Sequence, residues 1–170
     1  MIGGMNVRDL TPADYPAVLA LNEASVQFLS PLSAERLAAL HAESAVHLVV
    51  EADDGRVAAF ILAFREGAYY DSVNYQWFAA RDPRFLYVDR VVVAEAARAA
   101  GLGRRLYEAV FARAAAAGVP RVTCEFDVEP PNPASARFHA RFGFEEVGRQ
   151  AVGDKKKIVS LQAAEVAGTR

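Results

Sequence analysis

Apolar residues recur along the chain in short strand-like runs and at helical spacing, separated by turns rich in Gly, Pro and Asp, and their periods predict an interleaved series of strands and helices. Residues 5–10 read as a short strand. Thr11-Pro12-Ala13-Asp14 reads as a helix start, with Thr11 at the N-cap, Pro12 where its missing N–H costs nothing, and Asp14 complementing the helix dipole. Tyr15, Val18, Leu19 and Val26 form the apolar side of that helix, and Ser33 opens a second one with Leu37 and Leu40 facing inward. Strands at 46–51 and 57–64 flank Ala52-Asp53-Asp54-Gly55-Arg56, where Asp-Gly between apolar runs signals a hairpin. A long connection over 66–84 leads to an apolar strand at 85–93. A helix begins near Gly101, with Leu106, Ala109, Val110, Ala114 and Ala117 along one face, Gly118 as its C-terminal cap and Pro120 barring continuation. A strand at 121–128, a turn through Pro130, Pro131 and Pro133, a short helix at 134–142 ended by Gly143, and strands at 144–151 and 156–162 complete the order. Asp154 with Lys155, Lys156 and Lys157 falls at the last turn and reads as a solvated hairpin end. The expected fold is α/β (α+β): a mixed, mostly antiparallel central sheet of six to seven strands, about four flanking helices and one strand–helix–strand crossover.

Composition narrows the function classes. The 170 residues are expected to form a single domain, with a core over about 5–162 and flexible ends at 1–4 and 163–170. Apolar residues make up 53% and charged residues 24%, an ordinary globular balance, and a net charge of −2 argues against nucleic-acid or anionic-membrane partners. No apolar run approaches the roughly 20 residues of a membrane span. The first residues lack the charged and apolar regions of a signal peptide, so the expected location is cytoplasmic. The single cysteine, Cys124, excludes an internal disulfide and a cysteine-based zinc site; it reads as a small core residue in a strand. His41 and His47 show no ligand spacing, and no metal is expected.

The chemistry concentrates where a buried strand runs through Arg98-Ala99-Ala100-Gly101-Leu102-Gly103-Arg104-Arg105 into a helix. Unpaired N–H groups at a helix start, a favourable dipole and glycines that permit close approach make an anion site, and the arginines add local positive charge. A dinucleotide fingerprint would need Gly where Leu106 stands, and a phosphate loop of the Walker type would need Lys-Ser/Thr where Arg104-Arg105 stand; both fail. A glycine-containing cap with incidental arginines is the plainer alternative.

Arg98-x-x-Gly101-x-Gly103, with strand-ending Val93 five residues ahead, resembles the acetyl-CoA pyrophosphate loop of the GNAT acetyltransferase superfamily. Asn132-x-x-Ser135-x-x-Phe138-His139-x-x-x-Gly143-Phe144, about thirty residues on, resembles that family's second block. The likeness extends over the element order from Met5 to about residue 150. It implies a splay between two central parallel strands in which acetyl-CoA (coenzyme A) lies as co-substrate. Carried over, the strand end Val91-Val92-Val93 bonds the pantetheine arm through the backbone of Val91 and Val93. The loop from Arg98 through Arg104 holds the pyrophosphate, Asn132 fixes the pantetheine side, and Phe138 and His139 line it.

The family's usual general acid is a Tyr four residues before the Gly-Phe pair, and here that position is His139. Imidazole titrates near 6.5 rather than the ~10 of a phenol, so His139 either protonates the leaving thiolate or, since a thiol of pKa ~8.5 can leave unaided, simply packs on the Phe138–Phe142 stripe. For the general base, Asp89 shares a strand face with Val91 and Val93, and the family often carries a glutamate at that position. Glu125 and Asp127 share one face of the neighbouring strand and offer a second choice. Each acid has the alternative of a structural pairing with Arg90 or Arg121.

The connection before the cofactor strand holds Tyr69, Tyr70, Tyr75, Trp77, Phe78, Phe85 and Tyr87, with Asp71 and Asn74 among them. Two readings stand: an acceptor pocket in which Tyr70, Tyr75 and Trp77 take a small amine and Asp71 or Asp89 attracts its ammonium, or a mini-core or homodimer contact. The leading functional expectation is an acetyl-CoA-dependent N-acetyltransferase acting on a primary amine of a small molecule by direct transfer. The alternatives are a protein or peptide amine, and a non-catalytic acyl-CoA-binding module, for which the missing Tyr is the argument.

Overall fold

The computed structural model describes residues 4–26, 29–154 and 156–168. The expected flexible start at Met1, Ile2 and Gly3, the turn residue Lys155 and the last two residues lie outside them. Seven strands hydrogen-bond in the order β1-β2-β3-β4-β5-β7-β6. Five α-helices and two 3₁₀ segments complete the elements among the described residues. The chain packs as two compact units, Met1–Phe64 with Val88–Arg113, and Arg65–Tyr87 with Ala114–Arg170.

The first unit holds β1 (Asn6–Asp9), a 3₁₀ turn (Pro12–Asp14), α1 (Tyr15–Ala24), α2 (Ala34–Glu43), β2 (Val46–Glu51) and most of β3 (Val57–Arg65). β1/β2 and β2/β3 are antiparallel. Asp14 closes its own turn by accepting from the Thr11 N–H at 2.8 Å, and Arg8 grips both its oxygens at 2.8 Å. Ser33 caps α2 as its sequence position implies, its Oγ accepting from the Arg36 N–H. Leu10, Val18, Leu37, Val49, Phe60 and Val92 form the core cluster, with Tyr15 and Leu19 packed against it. Val26 departs from expectation: it lies in the turn beyond α1 and is exposed, because the helix ends at Ala24.

In the second unit, the start of β4 (Leu86–Val93) pairs in parallel with β5 (Arg121–Glu129), Leu86 opposite Val122 and Tyr87 opposite Thr123. β5/β7 and β6/β7 are antiparallel, with β6 at Glu145–Val152 and β7 at Lys157–Glu165. The expected long connection contains a helix, α3 (Val73–Ala79), capped by the Ser72 hydroxyl at the Tyr75 N–H. Its aromatic richness hid a helical spacing: Tyr75 and Phe78, three residues apart, both point inward. Trp77 is seated against the Gly148 backbone, where any Cβ would collide with its ring.

α4 (Leu102–Ala116) buries Leu102, Leu106, Tyr107, Val110 and Ala114, whereas Ala117 stands outside the helix and exposed. Gly118 adopts φ +68°, and Val119 N–H returns to the Ala114 carbonyl at 2.9 Å, a left-handed cap that only glycine accepts without strain.

Candidate functional site

Within the first unit, β4 delivers the chain to the glycine turn. Its side chains alternate, with Val88, Arg90 and Val92 buried and Asp89, Val91 and Val93 half-buried. Arg90 is anchored: its Nη1 donates to Asn22 Oδ1 at 3.0 Å and to the Ser30 carbonyl at 2.8 Å, and its Nε to Asp89 Oδ2 at 3.2 Å. Asp89 is therefore one half of a buried ion pair. After Val93, the Ala94 N–H bonds the Ala58 carbonyl at 2.8 Å, fixing where the loop leaves the sheet. Residues Glu95–Ala100 coil as a 3₁₀ segment, and Gly101 at φ +72°, ψ +25° reverses the chain into α4. A non-glycine residue would be strained there, although no atom stands within 4 Å of where its Cβ would lie.

The first-turn amides of α4, at Leu102, Gly103 and Arg104, precede any possible intrahelical acceptor, and Leu102 and Leu106 pin that turn by burial. Arg98 is exposed in the 3₁₀ segment. The other two arginines are partly committed: Arg104 pairs with Glu108 at 2.8 Å, and Arg105 donates to the Met5 carbonyl at 2.6 Å. A cleft of about 630 Å³ is lined by Ala100, Leu102 and Arg105, but also by Asp53 and Asp54, which make it a poor seat for phosphate.

In the second unit, α5 (Pro133–Ala140) starts at Asn132, whose Oδ1 accepts from the Ser135 N–H at 3.2 Å. His139, one turn on from Ser135, is buried among Phe126, Phe138 and Phe144, each ring centre 5.3 Å away. Its Nδ1 lies 2.7 Å from the Ser135 carbonyl. A carbonyl only accepts, so Nδ1 carries the proton; in the neutral ring Nε2 then holds a lone pair and cannot donate. Burial lowers the His139 pKa from its usual 6.5, and the Ser135 carbonyl opposes that only in part.

On β5, Glu125 Oε2 accepts from the Tyr87 hydroxyl at 2.7 Å, and Asp127 pairs with Lys157 at 3.2 Å. Arg121 bonds Asp82 through two nitrogens at 2.7 and 3.0 Å and lies 3.7 Å from Glu165. The structure thus joins Glu125 to Tyr87, which sequence reasoning named only as one aromatic among several. Its alternation with Asp89 on β4 was the available signal.

The geometry has a counterpart among known proteins: the model of the acetyltransferase (GNAT) family matches residues 7–144. The chain belongs to the GNAT acetyltransferase family. Solved structures show the same fold at low identity. The ribosomal-protein-S18-alanine N-acetyltransferase from Escherichia coli is 17% identical with a TM-score of 0.72, the match covering 96% of this chain and 94% of that one. A provisional phosphinothricin N-acetyltransferase is 21% identical, TM-score 0.72, over 96% and 99% of the two chains. The yncA protein from Salmonella typhimurium, solved with its cofactor acetyl-CoA, is 18% identical, TM-score 0.73, over 98% and 96%. No curated protein matches the chain.

Acetyl-CoA is the acyl donor of GNAT enzymes, and the glycine turn fits its pyrophosphate: open space at Gly101, first-turn amides and the exposed Arg98. Among the described residues no group of His, Cys, Asp and Glu could hold a metal, and no helix is long and apolar enough to cross a membrane. Cys124 is buried in β5. Of the aromatic candidates, Tyr75 is only 1% exposed, and its hydroxyl donates to the Arg65 carbonyl at 2.7 Å while accepting from the Ala68 N–H at 3.0 Å. Tyr70 is buried with its ring 5.6 Å from Tyr75. Trp77 carries the Arg81 guanidinium 4.1 Å above its ring. Tyr70 and Tyr75 are built as core, and Trp77 is the half-buried member of the three.

Proposed function

We propose that this GNAT acetyltransferase moves an acetyl group from acetyl-CoA to the primary amine of a small molecule by direct transfer, in the cytoplasm, a compartment that keeps its one thiol reduced. The observation that carries the reading is the open glycine turn at the start of α4, on a chain matched to the family over residues 7–144. The amides of Leu102, Gly103 and Arg104 and the side chain of Arg98 bind the pyrophosphate; the backbone of Val91 and Val93 holds the pantetheine arm. When bound, acetyl-CoA supplies a thioester whose C–S bond breaks as the new C–N bond forms, the electron pair leaving on sulfur. Glu125 takes the proton released from the amine nitrogen. It is preferred to Asp89 as the base because Asp89 is held in a buried ion pair with Arg90. The net charge of −2 favours a small cationic acceptor over a nucleic-acid-bound one.

The test is thiol release from acetyl-CoA across a panel of small primary amines and of peptides with free N-termini. Release driven by a small amine supports the reading. Faster release with peptides transfers it to a protein acceptor, and tight acetyl-CoA binding with no acceptor-dependent release ends it.

His139 serves this site as a neutral packed ring. With Nδ1–H committed to Ser135 and its pKa lowered by burial, it holds no transferable proton at neutral pH. His139→Phe is expected to keep kcat within about tenfold at pH 7.5 and to leave the pH–rate profile above pH 7 unchanged. Loss of a basic limb with a hundredfold fall would instead make it the general acid.

A further inference from the structure

The aromatic connection is not absorbed by cofactor binding, yet its residues converge on one hydrogen bond. Tyr87 is wholly buried, and its hydroxyl reaches Glu125 Oε2 at 2.7 Å. Tyr87 and Thr123 are directly opposite in the parallel pair, so Glu125, two residues beyond Thr123, lies diagonally across on the same face. The Tyr87 ring is in turn fixed by α3, with Tyr75 at 5.7 Å edge-on and Phe78 at 5.9 Å. Tyr75 is locked to the backbone at Arg65 and Ala68. This is a continuous chain of fixed groups from the connection to the carboxylate.

We propose that Tyr87 is a positioning residue for Glu125, and that the connection of residues 66–84 serves to hold Tyr87 in place rather than to form the acceptor pocket. The inference rests on the reading of Glu125 as general base. A phenol donating to one carboxylate oxygen fixes the rotamer of a long, flexible side chain. It also stabilises the ionised carboxylate, the form a base requires. Other charged groups on the same face of β5 are Asp127, bonded to Lys157, and Arg121, bonded to Asp82. From β7, the residue opposite Glu125 is Leu161, which is apolar and buried.

The experiment is a double-mutant cycle of Tyr87→Phe and Glu125→Gln, read as kcat, KM for acetyl-CoA and the pH dependence of kcat. Tyr87→Phe removes one oxygen from a site already lined by rings, and a thermal melt confirms that it folds. The expected result is a kcat about tenfold lower for Tyr87→Phe, an acid limb moved to higher pH, and an unchanged KM for acetyl-CoA. In the Glu125→Gln background, the same change is expected to cost nothing further in kcat. A Tyr87→Phe enzyme with a lowered melting temperature but an unmoved limb, or an equal fall in kcat in both backgrounds, overturns the proposal. If Glu125→Gln alone retains full activity, the reading of Glu125 as base fails instead, and the two failures are distinct.

Discussion

Glu125→Gln is expected to lower kcat by about two to three orders of magnitude, with KM for acetyl-CoA little changed. The substitution keeps the shape of the side chain and can still accept from the Tyr87 hydroxyl, but an amide cannot take a proton from an ammonium or an attacking amine. The groups proposed to hold acetyl-CoA, the backbone amides at the head of α4 and the strand end at Val91 and Val93, are not altered by the substitution. Steady-state kinetics at saturating acetyl-CoA checks the expectation. The same measurement on Asp89→Asn separates the two acids: the Asp89–Arg90 pair is buried, so that variant is expected to show its main effect in a lower melting temperature. If Asp89→Asn loses activity and Glu125→Gln does not, the base has been assigned to the wrong strand.

Acid is expected to destabilise the protein well before its carboxylates are neutralised. His47 on β2 is buried, its Nδ1 2.9 Å from Nδ1 of His41 on α2, and its Nε2 has no hydrogen-bond partner. Two imidazole nitrogens at that distance share one proton, so both rings cannot be cationic without repulsion. Burial first, and then the neighbouring His41 charge, lower the His47 pKa from 6.5 to about 3, with Asp14 opposing. The folded state therefore refuses a proton that the unfolded chain binds below pH 6.5. Stability from this group is fully present above that pH and is lost as pH falls from 6.5 towards 3, by at most about 1.4 kcal/mol per pH unit. Denaturant melts at pH 7.5 and pH 5.0 should differ by about 2 kcal/mol in the wild type. In His47→Phe the difference should shrink, because the titrating group is gone while a ring still packs near Phe60. An unchanged difference in the variant would place the acid sensitivity elsewhere.

Local chemistry explains which parts of the architecture were legible from the chain. Ser33 with Arg36, Asp54-Gly55 in the hairpin, and Gly118 and Gly143 in left-handed conformation are positions where one residue type has a decisive local advantage, and each performs the role its position implied. The glycine turn was legible for the same reason: Gly101 at φ +72° is a backbone requirement that leaves its mark in one residue. α3 was not legible, because Tyr75, Trp77 and Phe78 are bulky and favour strands as readily as helices, and the choice was made by packing on Phe85 and Tyr87. Ala117 looked like part of the α4 stripe because alanine fits either side of a helix boundary; its burial depended on where Gly118 ends the helix.

By itself the sequence determined the order of the strands and of the helices other than α3, the glycine turn before α4 and the family, since these rest on interactions among residues close together in the chain. Tertiary structure alone decided the state of the polar groups. Arg90 found Asn22 across 68 positions, Tyr87 found Glu125 across 38, and His139, a candidate acid by position, is buried among Phe126, Phe138 and Phe144. A side chain's charge and proton depend on what desolvates it and what donates to it, and those partners are set by packing between distant segments.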